Sequence, residues 1–476
     1  MYYRPDMRAV CADVIPYYEN GEFKLFYLKD YRDLPNKGEG VPWHLLTTKN
    51  LVDYEDKGVV LPRGKSDEQD LYVFTGCCVK KDDTYYIYYT GHNPHLRRQN
   101  KPEQKIMLAT SKDLLHWEKD KTFLFEAPEW MEMHDFRDPF VYFDEEEGKY
   151  AMLLAGRLKN GNPTFSKGAT FVAYSDDMYN WEVSKTPFYA PEAYFTHECP
   201  DLFKMGDWWY LVFSEFTDKI ATRYRMAKSL KGPWITPLQD TFDGHACYAA
   251  KTAFDGKRRI LFGWNCIKNH EEDDNWWQWG GTIIPHELVQ NADGTLRVKI
   301  PDEIAAQYGK EIEIKEGFAL GKVEKTASGY LVGRNDGMNV QMLNDMPANC
   351  KIEMQFIATD TIGEFGIILR ESCGLDFHYK LKFEPRYNRL TFDKIPRKDG
   401  NVHSLVEHER YCPILPGKKN QITCIVEESV LVVYVNDEVA MNARMFDMKI
   451  GNFGIYTQNT TVAFENVKLS VREAKA

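Results

Sequence analysis

No run of about 18 consecutive apolar residues occurs in the chain, so nothing in it reads as a membrane-spanning helix. There is no Lys/Arg-rich run and no basic stripe, and the formal net charge is −11. Nucleic acids and anionic membrane surfaces both require a dense positive footprint, so neither is an expected partner. Cysteine is present but without a metal-binding pattern. The ten Cys, at 11, 77, 78, 199, 247, 266, 350, 373, 412 and 424, form no CxxC pair and no Cys/His spacing of a zinc site. Most fall in strand-like stretches, where Cys behaves as a small apolar filler. The opening residues lack the apolar core of a signal peptide. Reduced thiols and this opening lead us to expect a cytoplasmic protein, a secreted form with its signal removed staying compatible.

What is abundant is aromatic. Tyr, Phe and Trp number 28, 27 and 11, or 14% of 476 residues. The simpler explanation is a strand-rich core, because aromatics suit pleated, half-buried surfaces. The sharper one is a sugar site, where rings stack on the apolar faces of furanose or pyranose units. Composition alone favours the first. The length exceeds one ordinary core and predicts two or three domains, and the acidic balance suits a neutral substrate.

An internal repeat carries more information. Thr47-Thr48-Lys49-Asn50-Leu51-Val52-Asp53-Tyr54-Glu55 aligns with Thr110-Ser111-Lys112-Asp113-Leu114-Leu115-His116-Trp117-Glu118, 63 residues on. Tyr174-Ser175-Asp176-Asp177-Met178-Tyr179-Asn180-Trp181-Glu182 follows 64 residues later, and a weaker copy runs from Ala227 to Trp234. Each copy reads as a strand end, a polar turn, and an aromatic-Glu pair that starts the next strand. Unrelated hairpins sharing turn chemistry would not keep that spacing. A period of about 60 residues built of short strands predicts a β-propeller, with room for five four-stranded blades in the first 300 residues. Beyond about residue 310 the pattern changes to alternating apolar and polar runs, as in Cys350–Phe356, Phe377–Phe383 and Ser429–Val435. Such alternation predicts an antiparallel sandwich with one face of each sheet buried. The expected organisation is all-β: a five-bladed propeller over residues 1–305 that carries catalysis, a linker at 306–316 with a short helical pattern nearby, and a β-sandwich over 317–476.

Functional side chains of a propeller should recur at blade spacing. Asp13, Phe74-Thr75-Gly76, Arg137-Asp138-Pro139 and Glu198-Cys199-Pro200-Asp201 do so, and the fifth stretch, residues 243–252, holds His245 and Tyr248. A lone Asp before Pro is more often a turn former, and a lone Glu entering a strand is usually solvated. Three acids directed at one axis are a different matter. Crowded like charges raise at least one pKa, which stability alone gives no reason to accept. Glycoside hydrolysis does need such a set, with a protonated acid for the leaving oxygen and a carboxylate on the opposite sugar face. A third carboxylate can stabilise positive charge in the transition state.

At these residues the chain resembles glycoside hydrolase family 32, the invertase, fructanase and levanase group. Arg137-Asp138-Pro139 is similar to that family's RDP motif, Glu198-Cys199 to its EC motif, and Phe74-Thr75-Gly76 to its FSGS block. Gly263-Trp264 and Trp279-Gly280-Gly281-Thr282 are also typical. The resemblance spans essentially the whole chain. It implies retaining hydrolysis of β-fructofuranosides such as sucrose or short fructans, with Asp13 as nucleophile, Glu198 as acid/base and Asp138 as transition-state stabiliser oriented by Arg137. The substrate-binding set is expected to be Arg137, Trp43, Phe74, Thr75, Cys199, His245, Trp264 and Trp279. Retention calls for carboxyls roughly 5–5.5 Å apart. No metal or organic cofactor is implied, the partner is a small or oligomeric sugar, and a homo-oligomer is left open. The first motif departs from the family: Val10-Cys11-Ala12-Asp13-Val14-Ile15-Pro16 keeps the acid but not the flanking Asn residues, and Leu28 stands where Gln is common. Lys29, Asp30, Arg32 or Trp43 would then rebuild the sugar pocket. Alternative readings are an inverting arabinan- or xylan-type hydrolase, a fructosyl transferase, and a non-catalytic sugar binder. The EC motif speaks against the first and retention of all three acids against the last.

Overall fold

The computed structural model describes residues 1–6, 8–159, 167–245, 247–333, 337–396 and 406–472. The chain divides into two units. The first comprises Met1–Thr241, Cys247–Cys266 and Trp279–Leu296; the second comprises Phe242–Ala246, Ile267–Gln278 and Arg297–Ala476.

The first unit is a five-bladed β-propeller. Its blades begin with the strands Val10–Glu19, Tyr72–Lys81, Met131–Asp144, Glu198–Met205 and Cys247–Phe254. These five first strands adjoin one another in a closed ring about the axis. Blades two and three are separate four-stranded antiparallel sheets, while single bridges, Ala221 to Cys247 and Cys11 to Gly281, join blades four, five and one. The fourth blade has three full strands, its outer edge reduced to bridges at Ile235 and Thr241.

Strand alternation explains the packing. In Lys149–Leu158, Met152 and Leu154 pack in one cluster with Tyr88, Ile106 and Leu108 of the second blade. Ala151 and Leu153 point the other way, to Leu202, Leu211 and Phe213 of the fourth. A period of two thus buries both faces of a middle blade.

The repeated turns are built alike. Ser111 Oγ accepts the amides of Asp113 and Leu114, while Asp113 Oδ1 accepts those of Leu115 and His116. Ser175 and Asp177 do the same one blade on, and Thr48 with Asn50 one blade before. The residue between, Leu51, Leu114 or Met178, has φ of 59°, 66° or 68°. That left-handed conformation is unfavourable for a branched or bulky residue. Burial of each side chain offsets it.

The second unit is a β-sandwich. One sheet includes Asn349–Ala358, Lys419–Glu427 and Val462–Val471; the other includes Glu364–Ser372, Phe377–Glu384 and Asn452–Gln458. Ile352, Met354 and Phe356 meet Phe365, Ile367, Tyr379, Leu381 and Phe383 in the core. After a one-turn helix at Asp302–Ala305, Lys310–Ile312 pairs with Val462–Val471.

Candidate active site

Every inner strand of the propeller breaks register at the same level. The irregularities fall at Asp13, at Thr75, at Asp138-Pro139, at Cys199-Pro200 and at Ala249-Ala250. Asp13, Asp138, Cys199 and Ala249 take φ of 23°, 58°, 52° and 50°. A bulge re-aims the side chains beside it, and strained backbone of this kind collects at functional sites. The bulges define two layers. Asp13, Thr75, Asp138 and Cys199 form one; the residues preceding the bulges, Phe74, Arg137, Glu198 and Tyr248, form the next. Glu198 is therefore the structural equivalent of Arg137, not of Asp138 as the sequence spacing suggests.

Asp13 receives hydrogen bonds from the Thr75 hydroxyl and, at 3.1 Å, from the Trp264 indole. Burial pushes its pKa up to about 7, the charges of Asp138 and Glu198 adding to the rise against the Thr75 and Trp264 hydrogen bonds. Asp138 accepts the Cys199 amide at 2.9 Å, and its own amide donates to Thr90 Oγ1 at 2.8 Å. Glu198 is held at both oxygens, by Arg137 at 2.9 Å and by the Tyr248 hydroxyl at 2.5 Å. Burial raises the Glu198 pKa, Arg137 opposes the rise, and Asp138 adds to it. Glu198 nevertheless keeps 21% of its side chain exposed, so protein walls it in while one face stays open to water.

Arg137 organises the set. It also binds Thr196 Oγ1 at 2.9 Å and Asp135 at 3.0 Å, with its Nε 3.7 Å from Asp138. Burial works against its charge, but Glu198, Asp138 and Asp135 outweigh that and keep it cationic. Aromatic rings complete the wall. Trp279, 37% exposed, lies 6.0 Å from Phe74 and 6.3 Å from Trp264, and Phe74 stacks on His92 at 4.8 Å. Burial holds the His92 imidazole near a pKa of about 4, helped by the Arg137 charge, so it is a neutral ring at pH 7. Phe74 and Trp279 also bound a cleft of about 460 Å³.

Asp13, Asp138, Glu198, Arg137, Thr75, Cys199, Phe74, Trp264 and Trp279 thus come together. One expected residue does not, and another falls outside the propeller unit. Trp43 is fully buried on the third strand of blade one, 6.0 Å from Phe26 and 6.3 Å from Tyr89, and serves the core rather than a sugar-facing surface. His245 belongs to the second unit, where its ring lies 6.0 Å from Trp277 and 5.8 Å from His408. Of the residues proposed to rebuild the pocket, Asp30 and Arg32 line the cleft, whereas Lys29 lies 3.8 Å from both Asp6 and Asp56. Tyr248, named with His245 in the fifth stretch but outside the expected substrate-binding set, stands just before the fifth bulge and bonds Glu198.

Glycosidic C–O cleavage needs one carboxyl to give a proton and another to meet the sugar from the opposite side. A pocket that offers these between aromatic walls puts the protein among the glycoside hydrolases. Comparison with known proteins narrows the class. The description of the glycosyl hydrolases family 32 N-terminal domain matches residues 15–299, and that of the family's C-terminal domain matches residues 322–471. The chain belongs to glycosyl hydrolases family 32. Its relatives include the sucrose-6-phosphate hydrolase of Zymomonas mobilis subsp. mobilis, 26% identical over 90% of this chain and 83% of that protein. The sucrose-6-phosphate hydrolase of Bacillus subtilis is 26% identical over 71% of this chain and 68% of its own length. The crystal structure of fructan 1-exohydrolase IIa from Cichorium intybus superposes with a TM-score of 0.73 at 16% identity, over 100% of this chain and 97% of that one, which shows a common fold.

Proposed function

We propose that the chain hydrolyses β-fructofuranosides with retention and releases fructose, through Asp13, Glu198 and Asp138. The observation that carries this reading is the convergence of Asp13, Asp138 and Glu198 at the bulges of the inner strands, with burial raising the Glu198 pKa in the direction a proton donor needs. Asp13, fixed by the Thr75 hydroxyl and the Trp264 indole, reacts in its ionised form. In the first step the Asp13 carboxylate attacks the anomeric carbon as the Glu198 proton passes to the leaving oxygen. This leaves a fructosyl ester on Asp13 and a free alcohol. In the second step Glu198 takes a proton from water, whose oxygen displaces Asp13 from the same carbon. Two inversions give net retention. Asp138, fixed by the Cys199 amide, supports positive charge on the ring in both transition states. Arg137 is a positioning residue that orients Glu198 and Asp138.

The relatives named for sucrose 6-phosphate and fructan substrates support a fructoside. We assign the chemistry to residues 1–305; residues 306–316, which lend the strand Lys310–Ile312 to the sandwich sheet, lead into a sandwich at 317–476 without substrate residues. Among the described residues the ten cysteines are thiols rather than disulfides, which supports action in a reducing, cytoplasmic compartment. The test is fructose release from sucrose, 1-kestose, inulin and levan beside Asp13→Asn and Glu198→Gln. Release that disappears in both variants sustains the reading. No release from any of the four by the wild type overturns it and directs a search among arabinofuranosides.

A further inference from the structure

The cleft next to the acids shares two walls with them, Phe74 and Trp279, and is otherwise built by the segment from Asp30 to Val41 together with Tyr72. This segment is held from behind. The Arg63 guanidinium donates to the carbonyls of Gly38 at 3.2 Å, Gly40 at 2.9 Å and Lys37. Gly40, at φ +102°, has no room for a Cβ, which would lie 2.2 Å from the Leu71 carbonyl oxygen. The cleft is thus a formed feature on the aromatic side of the site, suited to the part of a substrate that leaves.

Its charges are arranged in one direction. The lining offers three carboxylates, Asp30, Asp33 and Glu39, against one guanidinium, Arg32. Arg32 is committed: its Nε binds Asp30 and its Nη2 binds the Trp279 carbonyl. Of the neighbouring cations, Arg63 serves backbone carbonyls, His95 lies 2.9 Å from Glu39, and Lys37 sits over the Tyr31 ring at 5.4 Å. Glu39 also accepts the Tyr72 hydroxyl at 3.0 Å, and Asp33 accepts the Asn36 amide at 2.9 Å. Each carboxylate has about four acceptor positions, so these contacts leave room for incoming hydroxyl donors. A phosphate needs the reverse, a guanidinium fork or ammonium not already engaged.

We propose that this cleft is the leaving-group subsite and that it selects an uncharged, polyhydroxylated leaving group over a phosphorylated one, with Asp33 and Glu39 as specificity-determining residues. The proposal rests on the fructoside reading above, and it distinguishes this chain from relatives named for a phosphorylated substrate. Hydroxyls of a glucosyl or fructosyl leaving group donate to the two carboxylates while the sugar face lies against Trp279. A phosphate dianion in the same place meets Asp33 and Glu39, the lining carboxylates that Arg32 does not pair, while the one lining guanidinium is held by Asp30 and the Trp279 carbonyl.

The test compares kcat/KM of the full chain on sucrose and on sucrose 6-phosphate, whose phosphate is carried by the leaving glucose. The expected preference for sucrose is at least about tenfold, the size of one or two unfavourable charge contacts. It should shrink at high salt, because screening weakens exposed like-charge repulsion. An Asp33→Asn/Glu39→Gln double variant should narrow it by about threefold or more. Equal or preferred turnover of the phosphorylated substrate overturns the proposal, as does a preference unchanged in the double variant. If neither substrate yields fructose, the fructoside reading itself has failed. Calorimetric titration with glucose 6-phosphate then decides the charge argument, measurable binding overturning it and no binding sustaining it.

Discussion

Replacing Asp13 by Asn should make the protein inactive and, above neutral pH, more stable. The Asp13 carboxyl is pushed from its ordinary 3.8 to about 7, first by burial and then by Asp138 and Glu198. A group whose folded pKa is raised favours folding while protonated. That contribution is present below the unfolded value and is lost as pH rises through about 7. Three pKa units correspond to about 4 kcal/mol at about 1.4 kcal/mol each. Because Asp13 retains some access to water in the funnel, about 1–2 kcal/mol is the realistic share. The amide removes this penalty without orphaning its neighbours. Its oxygen keeps the Trp264 indole, and its NH₂ donates to the Thr75 hydroxyl, which rotates to accept. The melting temperature of Asp13→Asn should match that of the wild type near pH 4 and exceed it by roughly 1–3 °C above pH 8. The difference should build up between these limits. Thermal unfolding followed by tryptophan fluorescence across that range measures it, with fructose release assayed on the same samples and expected to fall at least about 10³-fold. A stability difference that does not change with pH, or one that favours the wild type at alkaline pH, would refute the claim that Asp13 ionises under strain.

Three further predictions concern the neighbours of Asp13. Glu198→Gln should lower turnover of sucrose by about 10²–10⁴-fold but spare the first-step burst from a fructosyl donor whose leaving group needs no proton, while the steady rate stays low because the same residue activates water in the second step; a burst slowed as much as sucrose cleavage would remove Glu198 from the acid role. Arg137→Met takes away the cation that opposes the raised Glu198 pKa, so the alkaline limb of the kcat/KM profile should move up. Arg137→Lys should restore the limb without restoring turnover, since one ammonium cannot span Asp135, Thr196 and Glu198. The third lies deeper on the axis. Lys251 is buried with its ammonium 2.9 Å from the Pro200 carbonyl and 3.2 Å from that of Gly76, just past two of the bulges. Burying an ammonium is unfavourable, but Lys251→Met would strand two carbonyls and cut a tie between three blades. A loss of roughly 1–3 kcal/mol is expected by denaturant titration, and an unchanged midpoint would mean that the tie is unimportant.

Much of this architecture was readable in the sequence because blade turns use short-range chemistry. A Ser or Thr two residues ahead of Asp or Asn closes its own loop, so Ser111-Lys112-Asp113 and Ser175-Asp176-Asp177 announce the blade period without reference to the rest of the chain. The sandwich was readable for a similar reason, since Asn349–Ala358 alternates buried and half-buried residues without a break. Bulges leave no such trace. They are settled by how two strands fit across the sheet, and the spacing of Asp13, Thr75, Asp138 and Glu198 therefore came out one residue wrong at its last member. The correction was present in the prolines. Setting Pro139 against Pro200 aligns Asp138 with Cys199 and Arg137 with Glu198, the register that the strand pairing has.

Trp43 and His245 depart from expectation for a different reason. A Trp at the start of a strand carries no mark of which side it faces. Trp43 lies on the third strand of its blade, where the ring is needed between Phe26 and Tyr89. His245 stands only three residues before Tyr248, yet the chain changes unit between them, and proximity in sequence says nothing of that. The altered first motif shows the opposite case, a departure that the structure makes intelligible. Without Asn beside Asp13, the carboxyl takes its donors from Thr75 and Trp264, residues of blades two and five. Burial, joined by the charges of Asp138 and Glu198, keeps the Asp13 pKa high against the two neutral donors that fix its position, which is why the pH dependence of Asp13→Asn is the sharpest test of how this site is built.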